Sequence, residues 1–157
     1  MKKKLLITFL MAIAVFFNCF SLPVYASEEE KIINTSVEYF DDGSYLIMTT
    51  AEIVNHSRAS VKTGNKTYTY NDSNGNTSWT YKITGTFSYT GSSSTCTAVS
   101  DSYTISHDNW HMSSHSCSKS GNTANGTVTM KYKVLGITAN TITRNISLSC
   151  SASGTLS

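Results

Sequence analysis

The sequence has a single proline, Pro23, and it falls among the first 26 residues. Beyond it the chain must turn on glycine, asparagine, aspartate and serine, and no proline interrupts a strand. Carboxylates are scarce where a catalyst would need them, because residues 59–157 hold only Asp72, Asp101 and Asp108. A glycosidase requires two placed carboxylates. There is no Gly-x-Ser-x-Gly elbow and no phosphate-cradling glycine loop. No amphipathic helix can be traced after the N-terminal segment, and no later apolar run is long enough to span a bilayer. These gaps argue against an enzyme, and no residue pattern calls for a cofactor.

The first residues read as a secretory signal peptide over 1–26. Lys2, Lys3 and Lys4 precede an apolar run from Leu5 to Phe17, and Val24-Tyr25-Ala26 supplies the small-x-small cleavage pattern. Lipidation at Cys19 is disfavoured by Asn18 and the phenylalanines upstream. The mature chain should start near Ser27 and be secreted. Loss of three lysines leaves nine basic residues against ten acidic ones, a net charge of −1. That balance speaks against nucleic acid as a partner. The charge is nonetheless uneven. Residues 27–58 carry −5 and residues 59–157 carry +4.

What the chain does have is strand signal. From Trp79 to Thr90 the odd positions are mostly large and apolar and the even ones polar, a period of two. Val128, Met130, Tyr132 and Val134 repeat the pattern, as do Ile142, Ile146, Leu148 and Cys150. Ser36–Phe40 and Ser44–Val54 flank Asp41-Asp42-Gly43, a hairpin signal. Turns are expected at 71–76, 91–94 and 121–126. Short strands at regular spacing predict an all-β antiparallel sandwich over 59–157, preceded by an acidic arm over 27–58 that carries one hairpin and either stands apart or adds two strands to the same sandwich. Trp79, Tyr81, Phe87 and Trp110 are expected in the core. The many Thr-x-Thr pairs read as solvent faces of strands.

The stretch His107-Asp108-Asn109-Trp110-His111-Met112-Ser113-Ser114-His115-Ser116-Cys117 holds three of the four histidines. Serines and Asn109 make it poor helix material. On a strand, histidines four apart stand roughly 13 Å from one another, too far to share a metal. Only His115 and Cys117 could chelate together, with help from elsewhere. The simplest arrangement puts Trp110 and Met112 inward and leaves the histidines in solvent, with no metal and no catalytic residue. Cys117 then points outward unless a bulge intervenes.

Cys96, Trp110 and Cys150 resemble the cysteine, tryptophan and cysteine of immunoglobulin-like domains. A resemblance that covers more of the chain is to small secreted Firmicute proteins of clostridial type, a group of unknown function. It rests on Glu38-Tyr39-Phe40-Asp41-Asp42-Gly43-Ser44-Tyr45, Gly64-Asn65-Lys66-Thr67-Tyr68-Thr69-Tyr70, Gly85-Thr86-Phe87-Ser88-Tyr89, Ser118-Lys119-Ser120-Gly121-Asn122-Thr123-Ala124 and Cys150-Ser151-Ala152-Ser153-Gly154-Thr155-Leu156-Ser157. It implies secretion from a Gram-positive cell and a β-rich fold, and no activity. Three cysteine pairings are possible. Strand phase points Cys150 inward, and the immunoglobulin likeness joins it to Cys96, so a Cys96–Cys150 disulfide with Cys117 as a free thiol is expected. The whole reading is a secreted, non-enzymatic binding or surface-interaction module, with cell-surface carbohydrate or protein as the partner class. The alternative is a secreted antagonistic protein of bacteriocin or toxin type.

Overall fold

The computed structural model describes residues 29–54 and 60–157. The expected signal peptide lies outside them. Eight strands follow one another: β1 (Glu29–Tyr39), β2 (Tyr45–Val54), β3 (Val61–Asn71), β4 (Thr77–Tyr89), β5 (Ser94–Ile105), β6 (Trp110–Ser120), β7 (Thr123–Val134) and β8 (Ile137–Ser149). They form two antiparallel sheets, one ordered β1-β2-β3-β4-β5 and the other β6-β7-β8, and none of the described residues is helical. The two-sheet all-β expectation holds.

The immunoglobulin likeness does not extend to the connectivity. That fold needs Greek-key connections, whereas here every sheet neighbour is a sequence neighbour. Trp110 also sits far from the cysteines. It opens β6, while Cys96 N–H donates to Gly121 O just past the other end of that strand. The turn expected over 121–126 is shorter than that, because β7 already begins at Thr123.

The alternation read from β4 places Trp79, Tyr81, Ile83 and Phe87 in full burial. Against them lie Ala124, Val128 and Met130 of β7 and Ile142, Ile146 and Leu148 of β8. Gly126 sits where β7 crosses β4. A Cβ there would collide with the Ile83 methyl and lie 2.7 Å from Tyr81 Oη, so only glycine permits this approach. Outward positions carry the threonines, which pair across strands, Thr129 with Thr143 and Thr80 with Thr104.

The hairpin expected within 27–58 is present as β1 and β2. It is not a separate arm, since β2 pairs with β3 from Tyr45↔Asn71 to Ile53↔Thr63. The uneven charge is partly cancelled there. Glu52 meets Lys62 at 2.9 Å, Glu38 meets Arg144 at 2.7 Å, and Glu30 lies 3.9 Å from Lys82 while accepting a hydrogen bond from Asn65. Such exposed pairs are worth about 0–1 kcal/mol each. Side chains of β3 reach across to the second sheet, with Tyr68 Oη and Lys66 Nζ donating to the carbonyls of Asn145 and Ser147.

The two ends of the sandwich differ. At one end the chain folds back on itself after β8. Leu156 bridges to Cys150 and is buried, and Gly91 N–H, Cys96 N–H and Cys150 N–H bond to Ala152, Gly121 and Asn122. The other end gathers the β1–β2, β3–β4, β5–β6 and β7–β8 connections.

Candidate binding groove

A meander puts alternate turns at the same end, and this is how distant polar residues meet. Two adjoining cavities, each of about 350 Å³, open at the end where these four connections gather. They share Asp42, Ser44, Tyr70 and Asn140 in their walls. The first adds Asp72, His107, Trp110 and Tyr132, and the second adds Phe40 and Arg144.

The aromatic wall is a connected stack. Tyr70 and Trp79 lie parallel at 5.4 Å, Trp110 meets Tyr70 edge-on at 5.1 Å, and Tyr132 leans on Trp110 at 5.4 Å and on His107 at 6.0 Å. Trp79 and Trp110 are held from behind by the core, so Tyr132 and Phe40 offer the more accessible ring surface. The Arg144 guanidinium lies over the Phe40 ring at 5.5 Å.

The polar wall is fixed by turn chemistry. Tyr70 Oη donates to Ser44 Oγ at 2.9 Å, and Ser44 donates its hydroxyl and its N–H to Asp42. These bonds hold the Asp42 carboxyl below the usual carboxylate range. Asp72 accepts from the Asn76 side chain and from the N–H groups of Asn76 and Asn74. Its carboxyl is likewise lowered, mainly by Asn76. Both aspartates are therefore ionised at neutral pH. His107 is positioned by its N–H on Ser78 O, and Asn109 Nδ2 donates to Tyr132 Oη at 3.2 Å. The groove thus offers fixed anionic acceptors, an imidazole, an amide and aromatic faces.

The residues singled out from the sequence fall elsewhere. A bulge between Met112 and Ser114 reverses the facing of the rest of β6, so Cys117 turns to the inner side and is half-buried, and His115 turns toward Asp101 of β5 while staying exposed to solvent, as His107 and His111 are. His115 Nδ1 lies 2.8 Å from Asp101 Oδ2, and Tyr81 Oη donates to the same oxygen at 3.0 Å. Burial works to raise the Asp101 carboxyl, but hydrogen bonds from His115, Tyr81 and Cys117 hold it below its ordinary value. Burial raises the Cys117 thiol, and the Asp101 charge raises it further. A nucleophilic cysteine needs the opposite. The two metal candidates, His115 and Cys117, thus converge on a carboxylate, and no group of three or more His, Cys, Asp or Glu among the described residues is arranged to hold a metal.

Cys96 and Cys150 are both buried in the core, and all three described cysteines are thiols in the structure. The expected Cys96–Cys150 bridge is not formed here. Each sulfur turns to its own carbonyl, Cys96 to Ala98 at 3.3 Å and Cys150 to Ser151 at 3.5 Å. The 121–122 turn stands between them, accepting from Cys96 N–H and Cys150 N–H in succession.

The aspartates of the groove were legible only as turn residues. The signal that would have joined them was the succession of hairpins, which stacks every second turn. Compared with protein family models, curated proteins and solved structures, the chain matches none.

Proposed function

We propose that the protein is a secreted, non-enzymatic binding module whose ligand seat is the groove at the hairpin end. The convergence of Asp42, Asp72, His107 and Asn140 beside the Tyr132 and Phe40 rings carries this reading. Pyranose rings present alternating hydroxyls and apolar faces, which suit ionised acceptors set beside aromatic side chains. Two ionised aspartates disfavour phosphate or other anionic ligands and favour neutral or amine-bearing sugars, the chemistry of cell-wall glycans. Screening the purified protein against an array of neutral, amino and acidic oligosaccharides tests this. Retention of a neutral or amino sugar is the expected result, and binding confined to acidic glycans or to none contradicts it.

A second reading, an antagonistic protein acting on other cells, is favoured by the β7–β8 tip. Leu135 is 98% exposed there and Ile137 73%, with Lys131 and Lys133 nearby on β7. Leu135 holds a positive φ of 51°, beside Gly136 at 82°. This reading predicts growth inhibition of neighbouring bacteria that Leu135→Ser abolishes. Unchanged growth of a broad bacterial panel at high protein concentration removes it.

A further inference from the structure

We propose that the free edge of β1 pairs with the same edge of a second copy of this chain, joining two five-stranded sheets into one continuous sheet. All eleven residues of β1 are exposed, and among the described residues only β2 pairs with it. Edge strands normally guard themselves by being short or by carrying proline. This one is long, has no proline, and carries Ile32 and Val37 at 64% and 46% exposure on the outer face.

The backbone fixes which groups are available. Phe40 N–H bonds Ser44 O across the β1–β2 turn, so residue 40 faces β2. Alternation then turns the N–H and C=O of Tyr39, Val37 and Thr35 outward. The bulge at Ile33, where Ile32 opposes Ala51 and Asn34 opposes Thr50, shifts the phase, and the outward set continues at Ile32 and Glu30.

A two-fold axis through Thr35 matches outward groups with outward groups. Thr35 meets its twin, Val37 meets Ile32, and Tyr39 meets Glu30. Between them Asn34 faces Ser36, and Lys31 faces Glu38. The strand's charges would deter an unrelated strand, but in this register they are complementary, with two Lys31–Glu38 pairs on one face and two Val37–Ile32 pairs on the other. Sliding one strand by two residues sets Lys31 against Ser36 or Phe40 instead. The bulge lies symmetrically in both copies, so it selects this register rather than blocking pairing. Glu38 keeps its contact with Arg144 through Oε1, which leaves its second oxygen for the lysine of the other copy.

Sedimentation velocity on protein purified from a secreting host tests this. The wild type should dimerise reversibly with concentration. Lys31→Glu and Glu38→Lys should each weaken the dimer by about tenfold or more, since like charges then face each other across the axis. An equimolar mixture of the two variants should recover association as a heterodimer, because one chain brings only carboxylates to these positions and the other only ammonium groups. Val37→Lys, which leaves Lys31, Glu38 and the Arg144 contact intact, should also give monomers while melting like the wild type. A wild type that stays monomeric up to its solubility limit overturns the proposal. So does a dimer indifferent to these substitutions, or a mixture that fails to recover association.

Discussion

The two ends of the sandwich are built from the same strands and finished differently. At the tail end the chain supplies its own plug. Leu156 covers Gly64, the Cys150 carbonyl accepts from Asn122 Nδ2 and Ser94 Oγ, and backbone groups of the two sheets bond to one another. At the hairpin end no tail segment among the described residues covers the opening; a few bonds link its connections, His107 N–H to Ser78 O and Lys133 N–H to Asn109 O, while the two carboxylates bond within their own turns. Asp42 is satisfied by Ser44 and Asp72 by Asn76. A side chain that is satisfied locally is rigid yet keeps lone pairs for a guest. The closed end therefore contributes stability, and the open end presents chemistry.

The sharpest way to break this contrast is at the plug. Leu156→Ala should cost about 2–5 kcal/mol, the range for truncating a buried leucine, read as a lowered denaturation midpoint. Tyr132→Ala at the open end should cost less, since that ring is only partly buried. Equal losses at the two ends would erase the distinction.

Between the ends, Asp101 ties the sheets together at the β5–β6 corner. Asn in its place should cost about 1–3 kcal/mol at neutral pH, since a charged acceptor with several donors is lost. The folded state depresses this carboxyl, so its contribution is complete above the unfolded value near pH ~4 and disappears as pH falls through the lower folded value. Acid titration of stability should therefore be shallower in Asp101→Asn below that point. Asp42 and Asp72, depressed in the same direction, should keep the residual slope. A steeper slope in the variant would contradict the assignment.

The smallest effect expected is on thiol reactivity. Native protein treated with an alkylating agent should be modified at Cys117 before the buried Cys96 and Cys150. The reaction should be slower than that of a free cysteine at the same pH, because burial and Asp101 both favour the thiol. Asp101→Asn should accelerate it several-fold. Mapping of non-reduced peptides shows in the same experiment whether Cys96 and Cys150 join in an oxidising medium.

The strands of the core were legible because one side chain in two had to be buried, and Trp79, Tyr81 and Phe87 announce that in β4 without ambiguity. The facing of β6 was not legible. Ser113 and Ser114 are equally polar, so nothing in the residues says where an extra one is inserted, and the bulge moves His115 and Cys117 to the other face. The place of β1 and β2 was open for a related reason. Hydrophobic alternation identifies a hairpin, but the pairing of β2 with β3 is a long-range event with no local mark. The groove was least visible, since its aspartates lie thirty residues apart and meet only through the meander.

Calorimetric titration of the sugar retained on the array addresses the location of the seat most directly. Binding to the wild type should be lost or weakened by at least about tenfold in Tyr132→Ala and in Asp72→Asn, the scale of losing about 1.4 kcal/mol. It should persist in Leu156→Ala at a temperature where that variant remains folded. Undiminished binding in both groove variants, or its loss in the folded Leu156 variant alone, would place the ligand away from the hairpin end and contradict the account.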